Sequence, residues 1–419
     1  MSIKRIRVEN FKSFGALDIG LGQLNILVGA NAAGKSNFIS IFKFLRDIED
    51  HGLDNAISLQ ADIEFLRNLR LGASRALVVE IISDQKKGHS IAARRGKALY
   101  GIRSYETSYK LVIKFHSRKA GVEAVEDKLN VKCEFFRLGK QKSQIIEKDK
   151  IGDGELAIYN TQGKIHYDFA LPEKLLLKKE ELLPGLLFET MRPPQSLLLE
   201  SHIFHLPFNV ADIFREVAIL NINPASSKRA ASLSGKKELE EDAGNLALVL
   251  KNITRNQEQR RKFSNLLGEL LAFVKGLEVE KFAGKSLLMK FRETYAKNKF
   301  LPAALVSDGT IGLTALIVAL YFENNALTII EEPERNIHPY LISKVSKMLQ
   351  EASQKKQIIV TTHNPLMIKY ADLRDVLLIS RNKEGFSEIS KPLEKKEIQV
   401  FLENEMGIED LYVQNLLEI

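Results

Sequence analysis

The hydrophobic positions of this 419-residue chain follow two periods, and the change from one to the other marks out its parts. Ile3, Ile6 and Val8 alternate with Lys4, Arg5 and Arg7, which predicts a strand with one wet face, broken at 10–14 (NFKSF). A second strand is predicted around 17–19. Residues 24–28 (LNILV) are an apolar run that reads as a buried strand, and Phe38, Ile39, Ile41 and Phe42 then fall at helical spacing. Segments 75–83, 109–115, 131–137 and 155–160 predict antiparallel strands joined by Gly- and Lys-rich turns such as 152–154. From Pro172 the period lengthens to that of a helix: LPEKLLLKKEELLPGLLFE, then 211–222, 240–250 and 258–274. The small, basic stretch 226–237 (SSKRAASLSGKK) predicts a flexible loop, with contact to nucleic-acid phosphates as its functional alternative.

The last part changes rhythm again. Strands are predicted at 282–291 and 301–306, and Ser307-Asp308-Gly309-Thr310 opens an apolar helix over 311–322. Buried strands follow at 326–330 (ALTII), 357–361 (QIIVT) and 376–380 (VLLIS), with a helix over 340–352. Strands alternating with helices, each ending in polar residues, describe a parallel sheet whose ligands sit along that edge.

Composition narrows the class. Lys and Arg number 61 against 53 Asp and Glu, a net charge of +8 that leans toward a polyanionic partner or a solvated basic surface. A single cysteine, Cys133, excludes an intramolecular disulfide framework and suits a reducing compartment. The start of the chain goes straight into a strand pattern, and no apolar run approaches 20 residues, so a soluble, cytoplasmic protein is expected.

The chemistry begins at 29–36. Gly29, four residues including Asn31, Ala32 and Ala33, then Gly34, Lys35 and Ser36 form the phosphate cradle of a nucleoside-triphosphate site, with Asn37 next on the helix. The glycines let backbone N–H groups approach phosphate oxygens, Lys35 spans the β- and γ-phosphates, and Ser36 holds Mg2+. ATP hydrolysis also needs a carboxylate to support the metal and a group that acts on the attacking water. Glu331, at its strand end, is placed for the first role and Glu332 for the second. His363, ending a neighbouring strand, is placed to bond the γ-phosphate or the water. Lys12 and Ser13, one hairpin upstream, either reach the phosphates or belong to an ordinary surface turn.

In this order, ENFKSF, GANAAGKSN, SDGT, LTIIEEPERNIHP and VTTHNP resemble the ABC-type ATPase heads of the stand-alone AAA class. These are relatives of the structural-maintenance-of-chromosomes proteins, of the repair ATPase RecF, and of the ATPase half of the overcoming-lysogenisation-defect nucleases and other antiviral systems. The resemblance implies an α/β fold, an ABC-type P-loop NTPase head of mixed and parallel sheet with flanking helices, carrying an antiparallel β-lobe and a helical insertion. Its parts are expected at 1–170, 171–280 and 281–419. It further implies a head-to-tail homodimer, or a higher oligomer, sandwiching two ATP molecules. Ser307, Asp308 and Gly309 then meet the γ-phosphate held by the other subunit, Asn336, Ile337 and His338 match a loop at the dimer interface, and Lys12 and Ser13 match phosphate contacts. The signature reads VSDGT where transport-type members have LSGGQ, and Glu331 stands where many relatives have Asp. The glutamine loop stays open between Gln60 and 219–227.

No long coiled coil interrupts the chain, and the tail after His363 reads as one or two amphipathic helices without room for a second catalytic domain. The expected function is an ATP-dependent switch that controls a separate, nuclease-like effector in antiviral defence. The alternatives are an ATP-dependent DNA repair clamp, using Lys228-Arg229 and Arg260-Arg261-Lys262, and a nucleotide-bound scaffold with little turnover.

Overall fold

The computed structural model describes residues 2–84, 91–95, 98–116, 121–141, 144–175, 181, 196–200, 214, 216–282, 284–394 and 408–414. The chain divides into two compact units. One is Met1–Gly22, Ser36–Glu216 and Arg381–Ile389; the other is Gln23–Lys35, Val217–Ser380 and Ser390–Ile419.

The first unit is built on an antiparallel sheet in the order Phe14–Gly20, Ser2–Phe11, Leu77–Asp84, Ala98–Phe115, Val122–Gln141, Gln144–Thr161, Lys164–Ala170, with Ile91–Arg95 paired to Ala98–Phe115. Ile3, Ile6 and Val8 are buried: Ile6 and Val8 follow the pleat, and a register shift between Ile3 and Arg5 lets the consecutive Lys4 and Arg5 both face water. Arg5 forks onto Asp18 of the neighbouring strand at 2.5 and 2.7 Å. The helix Lys35–His51 buries Phe38, Ile39, Ile41, Phe42, Phe44, Leu45 and Ile48, a broad apolar stripe whose aromatic rings meet edge to face at Phe38–Phe42. Gln60 is buried just after the helix Leu53–Leu59, and Cys133 is buried in the sheet.

A buried carboxylate ties this sheet together. Asp127 accepts from Tyr109 Oη (2.9 Å), Leu198 N (2.6 Å) and Asn160 Nδ2 (3.3 Å). Burial pushes its carboxyl up to about 6, from an ordinary value of 3.8. The folded state therefore holds a proton that the unfolded chain has lost, and this group adds stability as pH falls from 6 toward 3.8. Asp127→Ala strands the buried Tyr109 hydroxyl and Leu198 N–H, so urea unfolding should show a loss of about 1–3 kcal/mol at pH 7. The loss should be larger at pH 5.

The second unit carries the parallel sheet, in the order Val217–Leu220, Leu327–Glu331, Gln357–Thr362, Leu24–Val28, Val376–Arg381. Leu24–Val28 and Gln357–Thr362 are buried at every position, as expected of strands covered on both faces. Helix Asp308–Tyr321 is apolar on nearly all sides and lies in the core with helices Leu246–Arg255, Gln257–Leu270 and Pro339–Ser353. A smaller antiparallel sheet joins Ala231–Ser232, Ser286–Glu293, Val274–Phe282 and Leu301–Pro302.

Several expected elements change type or length. Segment 211–222 was expected to be helical, but Val217–Leu220 is a strand paired in parallel with Leu327–Ile330. Its run of four apolar residues suits either element, and only the distant partner decides. Helix 258–274 ends at Leu270, and Val274 starts a strand. The 282–291 strand is the second arm of a hairpin that turns at Gly284, φ +73°. Helix 240–250 begins only at Leu246, because Asn245 binds the backbone of Lys236, Glu238 and Glu240. The loop expected at 226–237 includes a short strand, Ala231–Ser232. Most of the helix expected after Pro172 lies outside the described residues, as does most of the C-terminal tail, of which Ile408–Val413 is a helix.

Candidate nucleotide site

The P-loop strand and its two parallel neighbours bring the second unit's candidate residues to one sheet edge. Thr362 pairs with Val28, the last residue of the P-loop strand, and Glu331 pairs with Thr361. Three strand ends thus lie side by side, with the turn at 29–34 leaving the central one. That turn has steric demands that its composition meets. A Cβ at Gly29 would lie 2.3 Å from the Ile379 carbonyl oxygen, and Gly34 has φ +119°. Ala32 is also left-handed, at φ +65°. Asn31 and Ala32 are exposed and Ala33 is buried.

Lys35 Nζ donates to the Gly29 and Ala30 carbonyls, at 2.7 and 2.9 Å. Burial lowers its pKa, and the charges of Glu332 and Glu334 oppose that. Both carboxylates therefore lie within electrostatic reach of the P-loop lysine. Ser36 and Asn37 continue the helix, where the Ser36 carbonyl accepts from Ser40 Oγ at 2.8 Å.

Glu332 is held from two sides. Its backbone is left-handed, φ +44°, with its N–H donating to Thr361 O at 2.9 Å. Oε1 lies 2.7 Å from His363 Nδ1, and Oε2 accepts from Arg335 Nε and Nη2 at 3.1 and 2.8 Å. Arg335 also donates to Asn221 Oδ1 at 3.1 Å. Burial alone would raise the Glu332 carboxyl, but Arg335 and His363 outweigh it and hold it below the ordinary 4.5. The contact between Glu332 and His363 is not foreseen in the sequence, which assigns each a separate role. Arg335 and Asn221, which sequence reasoning left unassigned, complete the cluster; both lay inside segments already singled out, EEPERNIHP and 219–227.

Ser307 caps the helix Asp308–Tyr321, its Oγ accepting from Thr310 N at 3.2 Å. Asp308 pairs with Lys228 at 2.5 Å, so one cation of the basic stretch 226–237 is engaged in the signature. A Cβ at Gly309 would lie 2.6 Å from Asn336 O, so glycine is what allows the 334–338 turn to pack there. Ile337 is buried, and His338 caps the helix Pro339–Ser353.

Lys12 and Ser13 lie in the first unit. Lys12 is left-handed, φ +45°, and burial lowers its pKa, with Lys43 adding to the effect. Ser13 Oγ accepts from Ser387 Oγ at 2.8 Å. Together with Asn37, Arg67, Arg70 and Arg381 they line a cavity of about 330 Å³.

The donors suit Mg2+, a hard cation that prefers oxygen: a hydroxyl at Ser36 and a carboxylate at Glu331. Among the described residues no group of three or more His, Cys, Asp or Glu side chains is gathered to hold a metal ion. Such a site would draw its remaining ligands from phosphate and water.

The family described as "AAA ATPase domain" matches residues 1–184, and the family described as "AAA domain, putative AbiEii toxin, Type IV TA system" matches residues 201–369. Both matches are to AAA ATPase domains, each over less than half of the chain, and the parallel sheet with its P-loop strand agrees with them. Among solved structures it is similar to the SMC head domain from Thermotoga maritima, with 13% identity, 93% of this chain and 99% of that chain covered, and a TM-score of 0.45. It is also similar to the Smc head domain with an extended coiled coil bound to the C-terminal domain of ScpA, derived from Pyrococcus furiosus (13% identity, 96% and 99% covered, TM-score 0.46). A comparison with curated proteins finds no significant match. Among the described residues no helix is long and apolar enough to cross a membrane.

Proposed function

We propose that the protein binds ATP with Mg2+, hydrolyses it, and uses that cycle as a switch in the cytoplasm. Two copies close on two nucleotides and so control a separate, nuclease-like effector in prokaryotic antiviral defence. The observation that carries the hydrolytic reading is Glu332, an ionised carboxylate gripped by His363 and Arg335 beside the P-loop strand end. The match to a toxin-related AAA family supports the defence role.

In this reading Lys35 exchanges the Gly29 and Ala30 carbonyls for β- and γ-phosphate oxygens, with the backbone at Asn31–Gly34 and Asn37 beside them. Ser36 and Glu331 would hold Mg2+, which would supply positive charge to offset that of the phosphates. Glu332 accepts the proton of the attacking water, and His363 donates a hydrogen bond to the γ-phosphate. The capped helix start at Ser307, Asp308 and Gly309 of a second copy completes the pocket. There Lys228 neutralises Asp308, which would otherwise repel the nucleotide.

The test is phosphate release by the purified protein with Mg-ATP, together with its mass by light scattering with and without nucleotide. Slow turnover and an ATP-dependent dimer are expected; absence of both binding and turnover overturns the reading. The repair-clamp alternative draws on Arg260 and Arg261, both exposed on the helix Gln257–Leu270. A salt-sensitive, ATP-dependent gel shift would favour it.

A further inference from the structure

We infer that Glu334 is a positioning residue: its buried carboxylate sets the arc Thr362-His363-Asn364 and thereby the contact of His363 with Glu332. The inference rests on the proposed roles of Glu332 and His363.

Glu334 is 6% exposed. A carboxylate gains nothing from such burial by itself, and burial pushes its pKa up. Its Oε1 accepts the Thr362 hydroxyl, while its Oε2 is buried with no hydrogen-bond partner among the described residues. The group is therefore not part of a saturated structural network: apart from its own backbone N–H, the Thr362 hydroxyl is the partner its carboxylate has among the described residues. Thr362 has a single hydroxyl proton, and giving it to Glu334 fixes the oxygen's lone pairs, one of which accepts from Asn364 N at 2.9 Å. Asn364 Oδ1 in turn accepts from Leu366 N at 2.9 Å and caps the helix Pro365–Lys369. His363 thus stands between two pinned residues, and this directs Nδ1 to Glu332 Oε1 at 2.7 Å.

The other end of Glu334 is anchored as well. Its carbonyl accepts from Ile337 N at 3.0 Å, closing the turn whose Asn336 oxygen packs over Gly309. The charge of Glu334 also reaches Lys35. One residue, by its backbone carbonyl and its carboxylate, therefore links the turn that abuts the signature helix with the histidine facing Glu332.

The experiment uses the full chain with Glu334→Ala, Glu334→Gln, Thr362→Val and Thr362→Ser. Glu334→Ala and Thr362→Val should each lower kcat about tenfold, the cost of a misplaced group, while the Kd for ATP stays within about threefold. Glu334→Gln, which keeps an oxygen for the hydroxyl, and Thr362→Ser, which keeps the hydroxyl, should recover most of the rate. The double variant Glu334→Ala/Thr362→Val should be no slower than the slower single one, because both break one link. In the nucleotide-free protein, 15N spectra of the His363 ring should lose the Nδ1 hydrogen-bond signature in Glu334→Ala and Thr362→Val. If Glu334→Ala does not fold, the Thr362→Val and Thr362→Ser pair carries the test. Thr362→Ser no faster than Thr362→Val, additive effects in the double variant, or an unchanged His363 spectrum would overturn the inference. Should the wild type itself show no turnover, the hydrolytic part of the proposed function fails instead, and the spectra alone then decide on Glu334.

Discussion

Glu332→Gln is expected to bind ATP within a few-fold of the wild type and to hydrolyse it about 10²–10⁴-fold more slowly, the range for loss of a positioned proton acceptor. The substitution keeps the size of the side chain and can still accept from Arg335, so the cradle should remain intact. What disappears is the negative charge that Arg335 and His363 stabilise and that would take the water's proton. The nucleotide-bound form should then accumulate, visible as retained radiolabelled ATP and as a persistent dimer. Because its pKa is depressed below 4.5, Glu332 stays ionised as pH falls through 5. The stability its ion pairs add is present above the unfolded value and lost only as pH drops through the lower folded one. Wild-type turnover in Glu332→Gln would remove this residue from the mechanism.

Lys35→Ala should lose ATP affinity by about 10²-fold or more if Lys35 has the proposed phosphate contact, since a half-buried cation on phosphate is worth far more than one in water. Its ammonium bridges two carbonyls of the P-loop, so the variant also loses an internal prop of that turn. Thermal unfolding offers a clean readout. Saturating ATP at 100 times its Kd stabilises the native state by about 2.7 kcal/mol, a shift that should be seen in the wild type and vanish in Lys35→Ala. A shift of full size in the variant would place the nucleotide elsewhere.

The parts of this site that could be read from the chain are those made by neighbours in sequence. The P-loop is one continuous strand, turn and helix. Glu331 with Glu332, and Thr362 with His363, were legible because each follows its own apolar strand, and parallel strands deliver their C-terminal ends to one edge. The partners that shape these groups were not legible. Asn221 is 114 positions from Arg335, Lys228 is 80 from Asp308, and Thr362 is 28 from Glu334. A side chain carries no local mark of which distant atom it will meet. The strand Val217–Leu220 escaped for the same reason, since its apolar run suits a helix until Leu327–Ile330 lies beside it.

By itself, then, the order of residues determined a glycine-rich turn between a strand and a helix, the strand ends that carry acidic groups, and an α/β architecture, because spacing and backbone sterics act over a few residues. Tertiary structure alone decided that Glu332 rests between Arg335 and His363, that Lys228 covers Asp308, and that Glu334 turns inward to Thr362. Burial and charge pairing depend on which surfaces meet, and that is settled only when the whole chain packs.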